Sequence, residues 1–309
     1  MKKLCMVTYI REDEEFTNDL VQIGNALHNN YLNFNCIVYF EKDLCTLPRV
    51  DFSIEQRLMI GTKYKKFLNI LNNSEDDYII SIDNDIKANI NNLLKLVDKT
   101  LNLKKVDISW GKIYARSPKK LISKLVDVDK LLSHDSLRPM LWRLNVGITI
   151  PGQCFIIKTK AFQNKLIESD TFLDDLALGL YSAKNRLNYL ILKDAVAYEV
   201  PSASFNDLLN QRKRWATGYR QILFLKELSK MDRILVIIHG LTYYGLFIIN
   251  SFFVIMLFII NPLYSFLFLL FIALLIARNR PSMIVYSILY QLIFPLFHFQ
   301  WIKYFLKKI

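Results

Sequence analysis

Tyr78-Ile79-Ile80-Ser81-Ile82-Asp83-Asn84-Asp85 is five residues of buried-strand pattern followed at once by two carboxylates one residue apart. Short apolar, β-branched runs of this kind read as strands covered on both faces, the condition of a parallel sheet. Open α/β sheets bind ligands beyond the carboxyl ends of their strands, so polar residues placed there are candidates for chemistry. Asp83 and Asp85 together can share a hard divalent cation, Mg²⁺ or Mn²⁺, which takes oxygen ligands, keeps several waters and bridges substrate phosphates. A solvated turn has the same composition. A phosphatase-type nucleophile would want Thr or Val where Lys87 stands.

The flanking sequence repeats the pattern. Leu4–Ile10, Asn35–Phe40 and Tyr189–Val200 read as strands, and Ile148–Lys158 as a strand entered through Pro151-Gly152. Apolar residues at helical spacing mark 14–29, 57–71, 93–103 and 172–182 as helices, and 207–230 as a basic amphipathic one. The basic stretch 104–143, with ten Lys/Arg against four Asp, reads as helices and loops. Alternation of this kind predicts an α/β fold with a mostly parallel sheet.

Charge divides the chain. Of 28 acids only Asp232 lies in residues 231–309, against six bases, so that tail carries +5 of the net +12. Ile234–Ile260, Leu263–Ala277 and Ser282–Ile302 are long apolar runs with too few polar residues to face water. They predict about three transmembrane helices and a multi-pass protein of the cell membrane, with residues 1–230 as a cytosolic domain and 231–309 as the membrane domain. Residues 209–230 form an interface helix. Three spans would place the Arg278–Arg280 loop on the cytosolic side and the basic tail outside, against the positive-inside tendency. The basic excess points to anionic lipid head groups and substrate phosphates. No nucleic-acid-binding motif accompanies it. Met1-Lys2-Lys3 is followed by too short an apolar run for a signal peptide, and the four cysteines show no CxxC spacing, so reduced, buried thiols are expected and a zinc site is not.

Two further patterns carry candidate chemistry. Asp174-Asp175 opens a helix, where acids ordinarily cap. A carboxylate in a cleft can also act as general base, and a neighbouring acid raises the pKa of one of the pair. In Gln211-Arg212-Lys213-Arg214-Trp215, Arg214 can fork onto phosphate oxygens and Trp215 offers a flat face to a sugar ring. An interfacial helix with snorkelling bases has the same composition.

In combination these motifs resemble the large family 2 of inverting glycosyltransferases that includes cellulose, chitin and hyaluronan synthases and ceramide glucosyltransferase. DxD, acidic pair and QxxRW occur in that family's order, with separations of 90 and 36 residues. Gly152-Gln153 resembles its acceptor-side loop, Tyr198-Glu199 with Asp207-Leu208-Leu209-Asn210-Gln211 its approach to QxxRW, and Gly61-Thr62-Lys63 with Asn69 its uridine-side segment. The resemblance covers roughly residues 4–225. It implies a GT-A fold, a Rossmann-like mixed sheet, followed by C-terminal membrane helices. It also implies a hexosyltransferase that takes a nucleotide sugar, a UDP-sugar above all, and inverts the anomeric carbon.

By the same resemblance Asp83 and Asp85 contact donor and metal, and Asp175 is the base. Lys63, Glu41, Gly152, Gln153 and Asp174 line the substrates, and Gln211, Arg214 and Trp215 hold the diphosphate and the acceptor sugar. The sequence departs from the family after the first strand, with Thr8-Tyr9-Ile10-Arg11-Glu12-Asp13, and after the second, where Phe40-Glu41-Lys42-Asp43 replaces a paired Asp, leaving Glu41 or Asp43 for the base contact. The acceptor is a growing polysaccharide or a lipid-linked molecule. A processive synthase would need a channel, hence a homo-oligomer for so short a membrane region, whereas a single-transfer glycolipid enzyme would not. A non-catalytic membrane-surface binding protein is the reading from another class.

Overall fold

The computed structural model describes residues 2–12, 14–42, 47–103 and 105–306. In chain order the elements are β1 Leu4–Ile10, α1 Asn18–Asn30, β2 Phe34–Phe40, β3 Ile54–Leu58, α2 Lys63–Asn73, β4 Tyr78–Ile82, β5 Ile86–Ala88, α3 Ile90–Asn102 and β6 Ile108–Ala115. There follow α4 Leu121–Leu132, α5 Arg138–Arg143, β7 Cys154–Lys158, α6 Thr159–Phe162, α7 Asp174–Lys184, β8 Tyr189–Glu199 and α8 Phe205–Leu223. The remainder is helical: α9 Lys230–Gly240, α10 Leu246–Ile260, α11 Pro262–Ile276, α12 Ile284–Ile293 and α13 Pro295–Leu306. Residues 1–113 with 149–199 form one compact unit, and 114–148 with 200–309 a second.

The first unit is built on an eight-stranded sheet in the order β3-β2-β1-β4-β7-β6-β8-β5. β3, β2, β1 and β4 run parallel, whereas β7 pairs antiparallel with β4, β6 with β7, and β5 with β8. The sheet is therefore mixed, with a parallel run from β3 through β4. Every residue of β1 and β4 is buried, as a strand covered on both faces requires. On one face Leu20, Ile23 and Leu27 of α1 and Leu93, Leu96 and Val97 of α3 pack with Leu4, Met6, Ile80, Ile82 and Ile156. On the other, Phe67 of α2 meets Phe155 of β7 edge-on, with ring centroids 5.4 Å apart.

The strand expected over 148–158 begins only at Cys154 and the helix expected over 207–230 ends at Leu223, and two further differences reshape the sheet. The helix expected from Arg57 begins only at Lys63. Residues 54–58 are instead an edge strand parallel to β2, and Gly61, at a φ of 141°, turns the chain before Thr62 caps α2 by accepting from the Lys65 amide. Within the basic stretch, 108–115 is a strand. Trp110 is buried, and the Cβ that Gly111 lacks would stand 2.3 Å from a Val196 methyl, so the glycine lets β6 approach β8 closely. Cys5, Cys36 and Cys154 are buried free thiols, and burial pushes the Cys154 thiol up to about 12. Cys45 lies outside the described residues.

In the second unit Leu125, Val128 and Leu131 of α4 pack with Leu208 of α8 and with Tyr290, Phe294 and Phe297 of α12 and α13. Asp232, the tail's lone acid, completes a capping box with Ser229 at the start of α9. Among the described residues two helical stretches are long and apolar enough to cross a membrane, Lys230–Ile260 and Pro281–Phe299, and Pro262–Ile276 is shorter. The Arg278–Arg280 loop is anchored to α4 and the turn after it. Arg280 pairs with the fully buried Asp127 at 3.0 Å, Arg278 donates to the Asp135 carbonyl at 2.9 Å, and Asn279 donates to the Asp135 carboxylate at 3.0 Å.

Candidate active site

The parallel strands deliver their carboxyl ends to one edge of the sheet in the first unit, and the polar residues expected there are present. β4 ends in Asp83-Asn84-Asp85. Asn84 is buried and acts as a clip. Its amide donates to the Glu15 carbonyl at 2.9 Å and to Glu14 at 3.3 Å, and its own carbonyl accepts from the Thr17 hydroxyl at 3.1 Å. With the middle residue held inward, Asp83 is left half-buried and Asp85 exposed.

Lys63, the first residue of α2, joins three segments. Its ammonium lies 2.7 Å from Asp83, 3.1 Å from Asp174 and 2.5 Å from the Gly152 carbonyl. It also faces the ring of Tyr9 at 5.4 Å. Burial alone would discharge this amine, but Asp174 and Asp83 hold it charged, well above the ordinary lysine range. In return burial and Asp83 raise the buried Asp174 carboxyl, against the pull of Lys63. Lys63 thus ties the DxD strand end to the helix that Asp174 and Asp175 open.

Asp175 is half-buried at the first turn of α7 and accepts from the Leu176 amide at 2.9 Å. Gly152 sits against this helix start, where a Cβ would lie 3.4 Å from that of Asp175. Gln153 has a supporting place. Its carbonyl accepts from the Asp83 amide at 2.9 Å, and its side chain donates to Glu199 at 2.5 Å. Glu41, at the end of β2, is paired with the buried Lys66 at 2.5 Å. Asp43 lies outside the described residues.

Lys66 and Asn84 carry no motif role of their own, and Glu199 enters the sequence reading only as part of the approach to Gln211. Glu199 ends β8 opposite Ile86, and its charge acts on Asp85. Although Asp85 is exposed, the protein packed about it, then the charges of Asp83 and Glu199, push its carboxyl up to about 6. Such crowded acids with one lysine among them are an oxygen-donor set that suits a hard divalent cation. Among the described residues no group of three or more His, Cys, Asp or Glu is arranged to hold a metal. Asp83 and Asp85 would therefore hold it, with remaining ligands from substrate oxygens and water.

Gln211, Arg214 and Trp215 lie on α8, in the second unit. Arg214 is exposed; Gln211 and Trp215 are half-buried. The buried base of this segment is Arg212, which pairs with Asp129 at 2.6 Å and stacks on Trp215 at 4.3 Å and on Phe294 at 5.2 Å. One face of Trp215 is thus covered by a guanidinium. Burial alone would raise the Asp129 carboxyl, but Arg212 and the Tyr290 hydroxyl hold it below the usual carboxylate range.

No curated protein matches this chain. Among solved structures it is similar to the TarS protein of S. aureus, residues 1–349, at 13% identity over 95% of this chain and 91% of that one, with a TM-score of 0.49. It is also similar to glucosyl-3-phosphoglycerate synthase from Mycobacterium tuberculosis in complex with phosphoglyceric acid, at 13% identity over 70% and 78% of the two chains, with a TM-score of 0.47. That same synthase in complex with Mn²⁺, UDP and glucosyl-3-phosphoglycerate gives the same identity, coverage and TM-score. The family model described as glycosyl transferase family group 2 matches residues 78–292, which run from the first residue of β4 through both acidic motifs to α12. With that match over more than two thirds of its length, the chain belongs to glycosyl transferase family group 2 and is a glycosyltransferase.

Proposed function

We propose that the chain is a membrane-bound inverting glycosyltransferase that moves a sugar from a UDP-sugar to a polysaccharide or lipid-linked acceptor, with Asp175 as general base. One observation carries the reading: Lys63 links Asp83 of the DxD to Asp174 at the head of the α7 helix, so the donor-side strand end and the helix start that bears Asp175 are tied together. In the reaction the acceptor hydroxyl oxygen forms a bond to the anomeric carbon as its proton passes to Asp175. The bond from that carbon to the diphosphate breaks, and the nucleoside diphosphate leaves with the electron pair. A divalent cation, Mg²⁺ or Mn²⁺, when bound at Asp83 and Asp85, supplies charge neutralisation for the diphosphate. Glu41, set against Lys66, serves the nucleoside side. Gly152, lacking a Cβ beside Asp175, leaves room for the acceptor. Gln153 holds Glu199 in place, and Arg214 and Trp215 are assigned to diphosphate and acceptor sugar. The domain reading is a cytosolic 1–230 and a membrane-associated 231–309. Acceptor chemistry in turn separates two outcomes, a polymer or a single-transfer glycolipid.

The test is incubation with a panel of UDP-sugars, a divalent cation and membrane lipids, followed by sizing of the product. Metal-dependent transfer from at least one donor is expected. Its absence across the panel, with folded protein, contradicts the proposal.

Cation binding should also depend on acid. With its carboxyl raised to about 6, Asp85 is protonated below that pH and ionised above it, so protons and cation compete for the same oxygens. Mn²⁺ affinity should fall by roughly tenfold per unit as pH drops below about 6. Raising Mn²⁺ should move the acid limb of activity to lower pH. Asp85→Asn should weaken Mn²⁺ binding and flatten this dependence in a calorimetric titration. An acid limb indifferent to Mn²⁺ would remove Asp85 from the site.

A further inference from the structure

We infer that residues 246–276 form a helical hairpin that enters one leaflet of the bilayer and returns, with no segment of the C-terminal region crossing. This rests on the membrane reading proposed above and replaces the three spans expected from the sequence. The entry to the hairpin is moored at α8 and its end, and the exit at α4 and the turn after it, both in the second unit. At the entry, the Tyr219 hydroxyl of α8 donates to the Val236 carbonyl, and Arg233 donates to the Leu225 carbonyl at 3.1 Å. At the exit, Arg280 and Arg278 are held by Asp127 and the Asp135 carbonyl. α8 and α4 are joined to each other by the Arg212–Asp129 pair. These two helices carry Lys124, Asp127, Asp129, Lys130, Asp207, Arg212, Lys213, Arg214 and Arg220, too many ionised groups for hydrocarbon. Entry and exit therefore lie on one side.

Between the moorings, residues 246–276 contain no charged side chain. Phe252, Phe258, Ile259, Leu263, Phe271 and Leu275 are exposed around both arms, so the surface offered is apolar on every side and fits acyl chains. The return arm is short. α11 has 15 residues, roughly 22 Å against a hydrocarbon core of about 30 Å, and α10, the end of the longer helical stretch Lys230–Ile260, is tied to it across the hairpin by the Ser265 hydroxyl. α11 is also held midway. The Leu269 carbonyl accepts from Gln291 at 2.9 Å, and the adjacent Tyr290 donates to Asp129 at 2.7 Å. Beyond Leu269 only about 12 Å of helix remains, less than one leaflet.

The turn is built to be dry. The Asn261 amide donates to the Leu257 carbonyl at 2.8 Å, its carbonyl accepts from the Tyr264 amide at 2.9 Å, and its side chain accepts from the Leu263 amide at 2.9 Å. Pro262 has no N–H to satisfy. Ser265 donates to the Val254 carbonyl of the other arm at 3.1 Å. Backbone that leaves the helix at membrane depth is tolerated when its polar groups are paired in this way. α13 meanwhile runs along α8, with the Phe297 and Phe205 rings 4.7 Å apart, and so stays at the surface with it.

The test places a cysteine at the tip, Ile259→Cys and separately Phe258→Cys, in the full chain in sealed membrane vesicles of both orientations. A membrane-impermeant maleimide is the probe. The parent chain gives the background, and Lys226→Cys marks the near side. Both tip variants should label at background from either side and fully after detergent is added. Labelling from the far side would show a crossing, and labelling from the near side a tip in water. Either overturns the hairpin. Release of the chain from vesicles by alkaline carbonate would instead remove the membrane reading itself. Agreement between the two tip positions guards against one variant misfolding.

Discussion

Asp175→Asn should lower sugar transfer by about 10²–10⁴-fold while leaving donor affinity close to that of the parent chain. The amide is nearly isosteric and can still accept from the Leu176 amide, so α7 keeps its start; what is lost is a group able to take a proton. Asp174→Asn is the informative contrast. Asp174 is buried and paired with Lys63, which also grips Asp83, so its loss should disturb donor binding as well as rate. Steady-state rates together with UDP titration separate the two. Full transfer by the Asp175 variant would remove the base assignment.

The second large effect concerns stability. Arg212→Ala should destabilise the second unit by about 3–5 kcal/mol, because it removes a buried guanidinium from between Trp215 and Phe294 and leaves the half-buried Asp129 carboxylate without its cation. Arg214→Ala, two residues away but exposed, should change stability by no more than about 0.5 kcal/mol. Denaturant unfolding in a lipid-mimetic solution checks both. Arg212→Ala with Asp129→Asn should cost less than the sum of the two single changes, since neither partner is then left charged and alone. Equal effects at the two arginines would contradict the placement of Arg212.

Much of the first unit was legible. β1, β4 and β8 announce themselves as apolar runs, and the strand-end rule led from β4 to Asp83 and Asp85. The same rule applied to β8 leads to Glu199 as a site acid, whereas the motif places it only on the approach to Gln211. β3 was illegible because an edge strand is half-covered and its residues carry no two-sided apolar signal. β6 was hidden by Lys112 and Gly111 amid basic residues, although Ile108, Trp110 and Ile113 are buried in it. On α8, Leu208, Arg212, Ala216 and Tyr219 share one buried face at helical spacing. Spacing could have marked Arg212 as the inward base, but not its partner Asp129, 83 residues earlier. Lys63 could be placed near the nucleotide from its local pattern. Its bridge between Asp83 and Asp174 depends on a sheet that brings residues 63, 83, 152 and 174 together, and no local pattern encodes that.

The most direct test of the account is the anomeric configuration of the transferred sugar, read by NMR on the product of a donor the chain accepts. A single displacement assisted by Asp175 predicts a β-linkage from an α-linked UDP-sugar. An α-linked product would require a different mechanism and would contradict the assignment of Asp175 as the base.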